Sequence, residues 1–134
     1  MRVLIAEDDR VSRIFLTQFM EGYGQCDVAE NGMDALDLFM ESIQKNEPYD
    51  LLCLDIMMPK VDGLKTLKVI RALEEQRGVR RRDHLRIIMM TAVNDSEHVD
   101  EAFRLGCDAY ASKPIDTDQV IQVMESLGVI EKGK

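Results

Sequence analysis

The feature that most constrains this chain is a set of five short apolar runs, each followed by a segment of helical periodicity. The runs fall at residues 2–6, 26–29, 50–54, 85–90 and 107–112. Leu51-Leu52-Cys53-Leu54 and Ile87-Ile88-Met89-Met90 are continuous, without polar alternation. Strands read this way when helices cover both faces of a parallel sheet. Residues 2–6 read the same, and the weaker run at 26–29 reads as an edge strand. Between the runs, apolar residues recur three and four apart. Val11, Ile14, Phe15 and Phe19 form the first stripe, and Met33, Leu36, Met40 and Ile43 the second. Leu64, Leu67, Ile70 and Leu73 follow, then Val99, Ala102 and Phe103, and last Val120, Val123, Met124 and Leu127. Each stripe predicts a helix with one buried face. Asp9 is expected to cap the first helix, Asp116 or Asp118 opens the last, and Gly128 ends it. The order is βα five times, which predicts an α/β, doubly wound sheet with right-handed crossovers.

At 134 residues the chain fits one domain, with a core expected over about 2–128 and a polar tail over 129–134. Repeats and linkers are absent. A hydrophobic share of 46% beside 31% charged residues is an ordinary globular balance. No apolar stretch approaches the ~20 residues needed to span a bilayer, and the apolar run beginning at Val3 leaves no room for a signal peptide. A cytoplasmic protein without membrane insertion is expected. The net charge of -8 argues against a nucleic-acid partner. Arg77, Arg80, Arg81, Arg82 and Arg86 are a local exception, read as a solvated connection or as a docking point for an acidic partner. Cys26, Cys53 and Cys107 are odd in number and lack C-x-x-C spacing, so they read as core residues and not as a disulfide or zinc framework. His84 and His98 have no second ligand at a useful spacing.

In an open parallel sheet the ligand site forms at the carboxyl ends of the strands. Here those ends carry Glu7-Asp8-Asp9, Asp55, Thr91 and Lys113-Pro114. Carboxylates gathered at one face repel one another, and a hard divalent cation relieves that repulsion. Mg²⁺ fits, since it takes one or two carboxylates and keeps waters for a phosphate. Lys113 adds a mobile positive charge and Thr91 a hydroxyl donor, which together suit a phosphoryl group held at a carboxylate. Singly, each residue has a plainer reading as a cap, a turn residue or a surface lysine. It is their coincidence at four strand ends that points to chemistry.

The segment Asp55-Ile56-Met57-Met58-Pro59-Lys60-Val61-Asp62-Gly63 resembles the D-x-x-M-P-x-x-D-G pattern of response-regulator receiver domains, the CheY-like superfamily of two-component signalling. Met90-Thr91-Ala92 and Tyr110-Ala111-Ser112-Lys113-Pro114 extend the likeness, which runs from Val3 to about Leu127. The resemblance implies a five-stranded sheet in the order 2-1-3-4-5. It implies that Asp55 accepts a phosphoryl group from the phosphohistidine of a histidine kinase or histidine phosphotransfer protein. Mg²⁺ (or Mn²⁺) would be held by Asp8, Asp55 and the backbone carbonyl of Met57, with Glu7 acting through water. Lys113 would pair with the phosphoryl oxygens and Thr91 would move to bond one of them. Tyr110 would turn inward, remodelling the surface of helix 4, strand 5 and helix 5 for a downstream protein. The Lys113-Pro114 bond is cis in many relatives. Pro59 and Gly63 are expected to shape the loop, the glycine through its access to positive φ.

A haloacid-dehalogenase-type phosphohydrolase would need a second carboxylate two residues after the nucleophile, where Met57 stands. A flavodoxin would find its phosphate repelled by Glu7-Asp8-Asp9. The remaining alternatives are a receiver fold that signals without phosphorylation, or the receiver of a longer regulator. A stand-alone switch, not a turnover enzyme, is expected. Because Met57 and Val93 are both apolar and cannot position a water, slow loss of the phosphoryl group is also expected.

Overall fold

The structure is a computed structural model, and it describes residues 1–92 and 96–132. Five strands, β1 (Arg2–Ala6), β2 (Gln25–Ala29), β3 (Leu51–Asp55), β4 (Arg86–Ala92) and β5 (Ala109–Lys113), form one parallel sheet in the order β2-β1-β3-β4-β5. The helices between and after them are α1 (Arg10–Met20), α2 (Gly32–Gln44), α3 (Gly63–Gln76), α4 (Ser96–Leu105) and α5 (Thr117–Leu127). β2 is an edge, as its weak pattern implied. β3 and β4 pair from Leu51↔Arg86 to Asp55↔Met90, and β3 is buried throughout.

Side chains alternate across a strand, so each continuous apolar run feeds two cores. Leu4, Leu52, Leu54, Ile87 and Met89 face a layer made by α2, α3 and α4, with Phe39, Leu67 and Ile70 at its centre. Val3, Ile5, Leu51, Cys53, Ile88 and Met90 face the other layer, against Leu16, Met20, Val120 and Met124 of α1 and α5. This is why those strands carry no polar alternation. Cys53 and Cys107 are buried as expected, whereas Cys26 is only half-buried.

Caps set where the helices begin. Asp9 accepts from the Ser12 N–H at 2.8 Å, Asn31 from Asp34 at 2.9 Å and Asp62 from Lys65 at 2.9 Å. Asp116, not Asp118, caps α5. That helix ends on Gly128 at φ 74, with the Val129 N–H returning to the Met124 carbonyl and the Gly128 N–H to Glu125, the paired bonds of a Schellman stop. Val129 and Ile130, expected in the polar tail, instead pack half-buried against the α1/α5 layer. Gly133 and Lys134 lie outside the described residues.

Three helical stripes differ from expectation. In α1, Val11, Ile14 and Phe15 are exposed by 76%, 45% and 47%, while Leu16 and Met20 are buried and Phe19 packs beside them. The helix is apolar around most of its circumference, so 3.6-residue periodicity allowed two faces, and the one with Leu16 and Met20 meets the sheet. In α2 the buried set is Ala35, Leu36, Phe39 and Ser42, leaving Met33 and Met40 largely outside. Phe103 of α4 is also exposed, whereas Ala102 is buried. The α3 and α5 stripes face the core as read, with Leu67, Ile70, Val120 and Met124 buried.

Candidate functional site

The strands run slightly further than their apolar runs, so the last rungs themselves carry the polar groups. Asp55 ends β3, Thr91 is the penultimate residue of β4 and Lys113 ends β5. Glu7, Asp55 and Thr91 are buried, at 2%, 5% and 4% exposure, while Asp8 is exposed at the rim. Glu7, Asp8 and Asp55 each direct a carboxylate oxygen to one point, all within 4.8 Å of one another. Lys113 crosses to this cluster. Its Nζ lies 3.1 Å from Asp55 Oδ2 and also contacts Glu7 Oε1.

The electrostatics follow from that crowding. Burial first, then the hydrogen bond and negative charge of Glu7, push the Asp55 carboxyl up to about 8, against the pull of Lys113. For Lys113, burial opposes the ammonium form, but the Glu7 and Asp55 carboxylates outweigh it and hold the pKa above the ordinary lysine value. One lysine is therefore not enough to balance the carboxylates. The donor set, all hard oxygens with one partner at the open rim, fits a small divalent cation.

The loop after Asp55 is shaped by means other than those expected. Gly63 does not adopt positive φ; Lys60 does, at φ 68. Gly63 is required because the backbone closes on it: an added Cβ would lie 2.2 Å from the Asp55 carbonyl oxygen and 2.7 Å from Ile56 Cα. Its N–H donates to the Ile56 carbonyl at 2.8 Å, so α3 starts directly against the end of β3. The Met57 N–H approaches Asp55 Oδ1 at 3.4 Å, and the Met57 side chain is 60% exposed. The Lys113-Pro114 bond is cis. Tyr110 faces outward, 44% exposed, with its ring edge-on to Phe103 at 6.0 Å. Val93 lies outside the described residues.

Sequence reasoning missed Arg13. From the first turn of α1 it donates to the Glu7 and Asp8 carbonyls, each at 3.2 Å, and pairs with Glu30 at 3.0 Å. It thereby ties the β1–α1 loop, which carries the acidic pair, to the end of β2. Its position four residues after the Asp9 cap was the available signal, because such a side chain can fold back over the preceding loop.

Residues 3–125 match the family model of the response regulator receiver domain. The chain belongs to that family. This receiver domain is 33% identical over 121 residues to sporulation initiation phosphotransferase F of Bacillus subtilis, covering 89% of this chain and 86% of that protein. It is 28% identical to the osmosensing histidine protein kinase SLN1 of Saccharomyces cerevisiae, of which it spans 11%. Among solved structures, the receiver domain of the histidine kinase CKI1 from Arabidopsis thaliana, complexed with Mg²⁺, superposes with a TM-score of 0.82 at 28% identity, covering 94% of this chain and 90% of that one. The CheX–CheY–BeF3–Mg complex from Borrelia burgdorferi gives 0.81 at 28% identity, covering 97% and 90%. Receiver domains of this family are signalling switches of two-component phosphorelays and not classical turnover enzymes.

Proposed function

We propose that this receiver domain accepts a phosphoryl group on Asp55 from the phosphohistidine of a histidine kinase or histidine phosphotransfer protein. The convergence of Glu7, Asp8, Asp55 and Lys113 on one point at the strand ends carries this reading. Asp8 and Asp55 would hold Mg²⁺, with the Met57 carbonyl completing the protein ligands and Glu7 acting through water. The CKI1 receiver was crystallised with the same ion. When bound, the ion neutralises the carboxylates and the equatorial phosphoryl oxygens. An Asp55 oxygen forms the new bond to phosphorus while the phosphorus–nitrogen bond to the donor imidazole breaks. Lys113 then pairs with the transferred group and Thr91 donates its hydroxyl. Tyr110, now outside against Phe103, is the group whose inward turn would change the α4–β5–α5 surface presented to a downstream protein.

The exposed face of α1 supports the choice of donor. Val11, Ile14 and Phe15 form an unpartnered apolar patch directly after the acidic loop, where a protein delivering a phosphoryl group to Asp55 must approach. The three thiols are free, which fits a reducing, cytoplasmic setting.

The exposed apolar Met57 cannot orient an attacking water, so the acyl phosphate is expected to persist. Replacing it with asparagine should shorten the phospho-lifetime; an unchanged lifetime argues against this part of the reading. The reading as a whole is tested by incubating the protein with acetyl phosphate and Mg²⁺. One phosphoryl group should be gained, and none by Asp55→Asn or in EDTA. A protein that gains none under any condition would instead be a phosphorylation-independent interaction module.

A further inference from the structure

At the pole of the sheet opposite Asp55, the end of α3, the turn at Arg81–Asp83, the start of β4 and the end of α4 enclose an open cleft of about 950 Å³. Its lining includes five guanidiniums, those of Arg71, Arg81, Arg82, Arg86 and Arg104, against two carboxylates, Glu75 and Asp108. In a chain with a net charge of -8 this is a concentrated reversal of sign. The arginines are also largely unspent. Arg71 is fully engaged, pairing with Glu74 at 2.7 Å and Asp108 at 2.9 Å and bonding the Gly106 carbonyl. Among the described residues, Arg86 donates only to the carbonyls of His84 and Arg82, at 3.2 and 3.3 Å, which holds it in place without neutralising it. Arg81, Arg82 and Arg104 have no carboxylate partner among the described residues, and all three are exposed.

The cleft therefore has a fixed base, Arg71 and Arg86, and a rim of free guanidiniums drawn from two separate segments. All five cations are arginine and none is lysine, which favours planar, bidentate recognition of phosphate or carboxylate oxygens. Phe103 supplies an exposed aromatic face on the same wall. The size lies within the range of about 300–1,000 Å³ for small-molecule sites. Screening limits the attraction to about 8 Å, so a small polyanion feels the cleft and not the acidic remainder, whereas a nucleic acid would meet both.

We propose that this cleft binds a small ligand carrying two or more phosphate groups, with Arg81, Arg82, Arg86 and Arg104 holding the phosphates and Phe103 available to a planar base. The arginines lie at the pole opposite Asp55 and binding is read in the unphosphorylated protein, so this proposal and the assignment of Asp55 can fail separately.

Calorimetric titration of the full chain in EDTA with tripolyphosphate, ADP and hexaglutamate, mapped by amide chemical shifts, tests it. Saturable binding of tripolyphosphate or ADP is expected, with shifts confined to residues 78–86 and 102–108. The Arg81→Ala/Arg82→Ala variant, altered only at exposed positions, should weaken binding by about tenfold or more while its other amides stay in place. Phe103→Ala separates the sources: loss of ADP affinity alone identifies a nucleotide, and equal affinities for both probes in both proteins identify phosphate itself. The proposal is overturned by an absence of saturable binding at millimolar probe, by binding indifferent to the arginine variant, or by hexaglutamate binding as tightly as tripolyphosphate. The last result would assign the cleft to an acidic protein segment.

Discussion

Removing the charge of Asp55 should stabilise the metal-free protein, and the size of that gain follows from the crowding around it. The carboxyl is 5% exposed and raised to about 8 by burial and by Glu7, against about 3.9 in an unfolded chain. A raised acid binds its proton more tightly in the folded state. Its contribution therefore favours folding at low pH and is lost as pH climbs from about 4 through about 8. At about 1.4 kcal/mol per pKa unit, the interval from about 3.9 to the working pH near 7.5 sets the cost to folding at ~5 kcal/mol as an upper bound. Glu7 and Lys113 share the proton and charge with Asp55, which brings the working value to about 2–4 kcal/mol.

Asp55→Asn keeps the shape, leaves Lys113 on Glu7 and deletes the ionisation. Urea unfolding followed by circular dichroism in EDTA should show the variant more stable by about 2–4 kcal/mol near pH 7.5, and by about 1 kcal/mol or less near pH 4.5. Adding Mg²⁺ should narrow or reverse the difference, because the ion stabilises the form that binds it and the amide removes a ligand. A variant that is no more stable than the parent near pH 7.5, or a difference independent of pH, would refute the claim that burial and Glu7 together disfavour the Asp55 carboxylate.

Three further outcomes follow from the same structure. Mg²⁺ binding should release protons below about pH 8 and tighten as pH rises toward that value, seen by calorimetry in buffers of different ionisation heat. Gly63→Ala should cost at least about 2 kcal/mol and slow phosphorylation, since its Cβ would lie 2.2 Å from the Asp55 carbonyl oxygen; an unaffected protein would show that the loop yields freely. On α1, Leu16→Ala should cost about 2–5 kcal/mol and Phe15→Ala under about 1 kcal/mol. Phe15→Ala should instead slow transfer from a phosphohistidine donor while leaving acetyl phosphate labelling intact, and a reversal of these two effects would contradict the assigned faces.

How much was legible in the sequence depended on whether one physical rule acted alone. Strands such as Leu51–Asp55 were readable because burial on both faces leaves no room for alternation. The convergence of Glu7, Asp8, Asp55 and Lys113 was readable because parallel strands must bring their carboxyl ends together. The buried face of α1 was not, since Leu16, Met20 and Phe19 compete with Val11, Ile14 and Phe15 under the same periodicity. The role of Gly63 was legible in kind but not in cause: the requirement is close approach to the Asp55 carbonyl, while Lys60 takes the left-handed turn. Arg13 left a local signal in its spacing from Asp9, and Arg81, Arg82 and Arg86 stood out as a basic run, but the closing of the cleft by Arg71 on Asp108 and by Arg104 joins segments distant in sequence, and no local pattern encodes that.

The central claim concerns one oxygen atom, and chemical trapping tests it most directly. Borohydride reduces an aspartyl phosphate to homoserine. After incubation with acetyl phosphate and Mg²⁺, peptide mass spectrometry should find homoserine at position 55 and aspartate retained at positions 8 and 9. Homoserine at either of those positions, or none anywhere in a protein that has gained a phosphoryl group, would contradict the assignment of Asp55.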